Sequence, residues 1–173
     1  PKDATVVTFT GRLLKEKGLP SLLNVMDKIN KERDDVYLFI AGDGDMQDEI
    51  DSRGNSHIIP VGRIDFEHIV ALLSESDIFC LPSFSEGFST SILEAAACGC
   101  YILTTARGGA KELLINDEYG CVILNNQEKL LYDALTEVIN HPDKRKKGIE
   151  LTYQRIKDNF TWNIVANNVE KIC

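Results

Sequence analysis

Residues 77–105 read D-I-F-C-L-P-S-F-S-E-G-F-S-T-S-I-L-E-A-A-A-C-G-C-Y-I-L-T-T. Asp77 to Leu81 is a short apolar run stopped by Pro82, which cannot donate to a strand ladder. Ser89 to Cys98 has helical spacing and stops at Gly99; Tyr101 to Thr105 is apolar and β-branched again. Two strands joined through a helix run parallel, because the helix carries the chain back to the end where the first strand began.

The same unit recurs on either side. Ala4 to Thr10 is a strand, and Pro20 to Lys31 places Leu22, Leu23, Met26 and Ile29 at helical spacing. Val36 to Ala41 is a strand before Gly42-Asp43-Gly44, with a short surface helix over Asp45 to Ser52. His57 to Val61 is a third strand, and Phe66 to Leu73 a helix with Ile69, Val70, Leu72 and Leu73 on one side. After the motif, Gly108-Gly109 opens a short helix reaching Ile115, and Gly120 to Leu124 is a sixth strand. Helices then follow over Glu128 to Asn140, Pro142 to Asn159 and Trp162 to Cys173. This order predicts an α/β fold: a Rossmann-like, open, mostly parallel six-stranded sheet with helices on both faces plus carboxyl-terminal helices, as one domain over residues 1–173. Ligands in such sheets bind beyond the carboxyl ends of the strands. The turns at Gly11, Gly42, Gly62, Gly87 and Gly108 fall at those ends.

Composition narrows the function. The chain has 173 residues, 43% of them hydrophobic, and can bury an ordinary core without staples. Its net charge of -8 argues against nucleic acid or an anionic membrane as main partner, so an anionic small ligand must be held locally. Five cysteines are odd in number and show no C-x-x-C or Cys/His spacing, so neither a disulfide framework nor a zinc site is expected, and a reducing, cytoplasmic setting fits. Cys80, Cys98 and Cys121 read as small buried apolar residues. No run of about 18 apolar residues and no charged-then-apolar leader occurs, so neither a membrane span nor a signal peptide is expected. The chain opens at Pro1 and enters a strand almost at once, as expected of a piece cut from something longer. His57, His68 and His141 read as structural or solvated, Trp162 as a packing anchor, and Lys144 to Lys147 as a solvated helix face.

The chemistry lies in the turns. Gly87 lets backbone approach a ligand, and the N–H groups of Phe88, Ser89 and Thr90 lie at a helix start, where free donors and the dipole favour an anion. Glu86 precedes that site, and Glu94 lies roughly 7 to 8 Å along the axis, about the reach from a diphosphate to a ribose. Arg12 and Lys17 project from the glycine-bounded loop after the first strand and can clamp a diphosphate, Arg as a planar fork and Lys as a point charge. Taken alone these residues leave the plain readings open: a solvated basic turn, a dipole-stabilising Glu86, and an ordinary mid-helix Glu94. Gly42-x-Gly44 lacks the third glycine of a dinucleotide fingerprint, since Gln47 stands there. Gly108-Gly109-x-x-Glu112 is a further glycine turn able to line the same cleft.

The ordered set F-T-G-R-L-x-x-x-K-G, A-G-D-G, V-G-R-I, P-S-F-S-E-G-F-S-T-S-I-L-E-A-A-A-C-G, G-G-A-K-E-L and F-T-W resembles the carboxyl-terminal, donor-binding domain of the family-four retaining glycosyltransferases, which have the two-domain GT-B architecture (glycosyl transferases group 1). The resemblance runs through nearly the whole chain. It implies a nucleotide-diphospho-sugar donor, UDP- or GDP-linked, with no further cofactor and no metal. Arg12, Lys17 and the amides of Gly87 to Thr90, including Phe88 and Ser89, would then contact the diphosphate, with Gly11 in the same loop. Glu86 would contact donor-sugar hydroxyls, Glu94 the ribose, and the Arg63-Ile64 turn would bracket the base. Glu86, Arg12 and Lys17 would be the catalytic set. Glu86 and Glu94 address different parts of the donor, so no covalent nucleophile is assigned; the expected step is same-face attack by an acceptor hydroxyl, with the departing phosphate oxygen taking the proton.

The family carries a separate amino-terminal, acceptor-binding domain, which the resemblance leads one to expect outside this chain. The resemblance therefore implies that this chain alone binds donor weakly, if at all, and is inactive in transfer, that its partners are the donor and that domain, and that any contact with the inner face of a membrane runs through the latter. Polysaccharide or glycolipid assembly is the pathway it implies. Ser89, Thr90 and Ser91 stand where Gly and apolar residues are frequent in the family. Three rival readings share parts of this pattern: a nucleotide-sugar epimerase of similar plan, a non-catalytic nucleotide-binding module, and a dinucleotide oxidoreductase, which Gly11-Arg12 and Ala41-Gly42 do not suit.

Overall fold

The computed structural model describes residues 3–85, 87 and 89–161. Its strands are β1 (Thr5–Thr10), β2 (Val36–Ala41), β3 (Ile58–Gly62), β4 (Ile78–Leu81), β5 (Tyr101–Thr105) and β6 (Cys121–Ile123). The helices are α1 (Leu19–Glu32), α2 (Gln47–Asp51), α3 (Phe66–Ser74), α4 (Thr90–Ala97), α5 (Ala110–Leu113), α6 (Glu128–Asn140) and α7 (Pro142–Asn159), with a 3-10 turn at Lys15–Lys17. Every strand pairing is parallel, in the order β3-β2-β1-β4-β5-β6. The interior strands β4 and β5 are buried along their whole length, which is why they read as unbroken apolar runs.

The strand order decides where a ligand can sit. From β1 the chain steps outward through α1, β2, α2 and β3; α3 then carries it back across to β4, beside β1, and α4 and α5 lead out to the other edge. The loops leaving β1 and β4 therefore part in opposite directions and open a crevice beyond their carboxyl ends. Helices cover both faces: α1 packs on α6, while α4 packs on α3 and α7.

Three expectations need correction. Cys98 and Cys121 are half-buried, whereas Cys80 and Cys100 are the buried thiols. Arg145 does not belong to a solvated face: its side chain is 12% exposed and donates to Val138 O and Ile139 O at 2.8 Å each, closing the last turn of α6. On α3, Leu73 is buried but Ile69, Val70 and Leu72 are only half-buried, because this crossover lies against α4 at the margin of the crevice. The helix expected over Trp162 to Cys173 lies outside the described residues.

The sheet centre makes stability sensitive to alkali. Burial pushes the Cys100 thiol up to about 12, and Cys80 and the Tyr101 phenol upward as well. The Tyr101 hydroxyl has no hydrogen-bond partner among the described residues. Groups whose folded values are raised contribute fully below their unfolded values and lose that contribution as pH climbs towards the folded ones. The urea midpoint under reducing conditions should thus hold between pH 7 and 8.5 and decline steadily above pH 9. A midpoint unchanged to pH 11 would contradict this.

Candidate functional site

The loop after β1 is built against the loop after β2. Gly11 N donates to Ala41 O (3.0 Å), Leu13 N to Asp43 O (2.7 Å), and Met46 N to Leu13 O (3.0 Å). Gly42 has φ +146°, and a Cβ there would stand 1.9 Å from Gly11 O, so the approach of the two loops requires glycine. Lys17 N then closes the 3-10 turn on Leu14 O at 3.1 Å.

Next comes Gly18, left-handed at φ +78°, where a Cβ would stand 1.9 Å from Pro82 O. The loop after β4 is therefore in contact with the Lys17 turn. Ser83 Oγ reaches Glu16 O at 3.0 Å, Phe84 N donates to the same carbonyl at 2.8 Å, and Thr105 Oγ1 donates to Ser83 O at 2.5 Å. The loops leaving β1 and β4 form one hydrogen-bonded unit that fixes Lys17 relative to the start of α4.

That start differs slightly from expectation. Ser89 is the N-cap and Thr90, Ser91 and Ile92 form the first turn, whereas the sequence placed Phe88, Ser89 and Thr90 there. Ser89 makes no capping bond to the backbone; its hydroxyl shares a 2.8 Å hydrogen bond with Ser91 Oγ. No acidic residue lies in the first turn, so nothing in the helix itself neutralises its amide end.

These elements line an open cavity of about 440 Å³ at the β1/β4 crevice. Thr10 and Gly11 line it at the end of β1, Lys17 beyond them, Phe66 and Ile69 on α3, and Ser89, Thr90, Ser91 and Glu94 on α4. Lys17 is the cation and Glu94 the carboxylate of this lining, both half-buried. Thr10 Oγ1 is buried and has no hydrogen-bond partner among the described residues. Chemically the cavity can take a ligand with an anionic group, hydroxyls and an apolar part. A larger cleft of about 580 Å³ lies at the opposite ends of the strands. There Arg33 is already paired with Asp35 (2.6 Å) and Asn140 (2.9 Å).

Of the residues singled out from sequence, Gly11, Lys17, Ser89, Thr90 and Glu94 meet in the cavity. Arg12 is exposed and outside its lining, and so is Arg63, which is 83% exposed and stands 3.8 Å from Asp43. Ile64 is half-buried and also outside it. Gly87 is exposed, and its carbonyl accepts from Gly109 N at 3.3 Å, which ties the Gly108-Gly109 turn to the same loop. Glu86 and Phe88 lie outside the described residues. Sequence reading missed Thr10, Phe66 and Ile69; Phe66 had one visible signal, an aromatic ring directly after Asp65, a good N-cap. Among the described residues no group of three or more His, Cys, Asp or Glu could hold a metal, and no helix is long and apolar enough to cross a membrane.

A family model described as Glycosyl transferases group 1 matches residues 1–155. The chain belongs to this family. It is 29% identical over 169 residues to glycogen synthase of Mycobacterium tuberculosis, a match covering 95% of this chain and 41% of that protein. It is 34% identical over 178 residues to the phosphatidylinositol N-acetylglucosaminyltransferase GPI3 subunit of Saccharomyces cerevisiae, covering 99% and 39%. The chain thus spans about two-fifths of the length of these curated relatives. Anabaena HepE, solved in complex with UDP and glucose, superposes with a TM-score of 0.84 at 20% identity, covering 98% of this chain and 48% of that one. The parallel six-stranded sheet with helices on both faces is the Rossmann-like half of the GT-B fold of the group 1 glycosyltransferases.

Proposed function

We propose that this chain is the donor-binding domain of a retaining group 1 glycosyltransferase, transferring a sugar from a nucleotide-diphosphate sugar to an acceptor hydroxyl in polysaccharide or glycolipid assembly. One observation carries the reading: at the β1/β4 crevice a single cavity combines Lys17, the uncapped first turn of α4, and Glu94. Cation and amides suit a diphosphate, and a carboxylate one turn along suits the vicinal hydroxyls of a ribose. UDP bound by Anabaena HepE supports a nucleotide ligand for this fold.

In this reading Lys17 and the α4 amides hold the diphosphate and offset the charge that develops on its oxygen as the glycosidic bond breaks. Arg12, exposed at the mouth, contacts the outer phosphate, and the role assigned to Glu86 is to bind the donor-sugar hydroxyls. The amides of the Gly87 to Thr90 segment are assigned to the diphosphate, and the Arg63-Ile64 turn to the base. The acceptor hydroxyl attacks the face from which the phosphate departs, and that phosphate oxygen receives its proton. Charge on the diphosphate is met by protein groups, so no metal or further cofactor is required. Transfer needs an acceptor-binding domain beyond this chain, and the chain alone binds donor weakly and without turnover. The free thiols Cys80, Cys98, Cys100 and Cys121 fit a reducing, cytoplasmic setting, with membrane contact left to the acceptor-binding domain.

Calorimetry and thermal shift with UDP, GDP, ADP, their common sugars and NAD test the reading. One nucleoside diphosphate should add roughly 2.7 kcal/mol of stability at about 100 times its dissociation constant, EDTA should not reduce this, and Glu94→Gln should weaken binding by about tenfold. Stabilisation by NAD alone would replace the transferase reading with a dinucleotide enzyme.

A further inference from the structure

Phe66 stands outside the hydrophobic core. Its side chain is 67% exposed, whereas Phe9 and Phe79 of the sheet are fully buried. It is the first residue of α3, a position that gains nothing in helix propensity from an aromatic ring. An isolated exposed apolar residue is ordinary on a protein surface. This one is not isolated, since it and the half-buried Ile69, three residues on and so on the same side of the helix, form the α3 wall of the cavity that holds Lys17 and Glu94.

The ring is also carried on a fixed backbone. Asp65 caps α3, accepting from His68 N at 3.0 Å and sharing a 2.7 Å hydrogen bond with His68 Nδ1. Those bonds hold the Asp65 carboxyl below its usual range, so the cap is intact at neutral pH. Phe66 is thus presented on an ordered helix start rather than on a loop.

A nucleoside diphosphate joins three chemistries: a charged diphosphate, a hydroxylated ribose and a flat aromatic base. The cavity offers a counterpart to each, in Lys17 with the α4 amides, in Glu94, and in Phe66 with Ile69. Among the described residues of the lining, Phe66 is the one that presents an aromatic face.

We infer that Phe66 is the stacking platform for the donor nucleobase and a determinant of base preference. This rests on the nucleotide-sugar reading above. A ring face binds any base and grades them by stacking area, so it favours purines over pyrimidines and leaves finer choice to hydrogen bonds elsewhere.

Calorimetry on the full chain with GDP, UDP and inorganic pyrophosphate tests this in wild type, Phe66→Ala and Phe66→Trp. Phe66→Ala should bind GDP about tenfold more weakly, UDP somewhat less so, and pyrophosphate as wild type does, while Phe66→Trp restores GDP binding. Unchanged GDP binding in Phe66→Ala, or an equal loss of pyrophosphate, would overturn the inference. Wild type binding pyrophosphate as tightly as GDP would overturn it while leaving an anion site; wild type binding neither nucleotide would remove the nucleotide reading along with it.

Discussion

Replacing Lys17 with alanine should weaken binding of a nucleoside diphosphate by about thirtyfold or more, the effect of removing one charge-assisted contact to a phosphate. The size follows from position. Lys17 is half-buried in the cavity lining, where solvent and salt screen a charge less than at the exposed Arg12. Arg12→Ala should accordingly cost no more than about threefold in the binary complex and show the steeper salt dependence. Calorimetry at low and physiological ionic strength separates the two, with the ligand-free unfolding midpoint confirming that each variant is folded. A Lys17→Ala protein that retains wild-type affinity would show that the cavity does not take its anion at this residue.

Gly18→Ala should unfold at markedly lower temperature and lose ligand binding with it. Alanine at φ +78° carries a backbone penalty of about 1 to 2 kcal/mol. The added Cβ also meets Pro82 O at 1.9 Å and Pro82 C at 2.6 Å, which are backbone atoms of a buried loop and cannot rotate away. Overpacking of that kind adds about 1 to 3 kcal/mol. A total near 3 kcal/mol lowers the midpoint by roughly 6 to 12 °C in a chain of this size. Any relief must come from separating the Lys17 turn from the loop that starts α4, so the surviving folded protein should bind nucleotide poorly. Gly87→Ala is the contrast, because a Cβ there meets no atom within 4 Å. It should unfold as wild type does, so any affinity it loses would come from the ligand side of the loop. A Gly18→Ala protein as stable as wild type would mean that the two loops are not coupled.

The secondary structure was legible because burial leaves a periodic trace. β4 and β5 are covered on both faces and read as continuous apolar runs, and α1 buries Leu22, Leu23, Met26 and Ile29 at the spacing seen in the sequence. Chain punctuation was equally direct: Pro82 ends β4, and Gly99 follows α4. Arg145 was misread because a cluster of four basic residues looks solvated in one dimension, and only the fold of α7 against α6 shows the carbonyls that one of them caps.

At the candidate site the division is sharper. The residue types in the loops after β1 and β4 and along α4, Gly11, Lys17, Ser89, Thr90 and Glu94, suit anion and hydroxyl chemistry, because a glycine turn, a cation and a helix start have local meanings, though each also has a plain structural reading. Their meeting in one cavity depends on β1 lying next to β4, a pairing made across 71 residues, as between Val7 and Ile78, and set by how the crossovers pack. Thr10 and Ile69 had no local signature of ligand contact, and Phe66 had only its place directly after the N-cap residue Asp65. Thr10 is one of a run of apolar and β-branched strand residues, and α3 looks like any helix with an apolar side. Only the return of α3 across the sheet to lie against α4 turns Phe66 towards the same opening as Lys17. Local patterns of burial and backbone geometry thus determine the elements and the chemistry of each loop from sequence alone, while contacts between distant elements, whose energies depend on packing in three dimensions, decide which loops share a site.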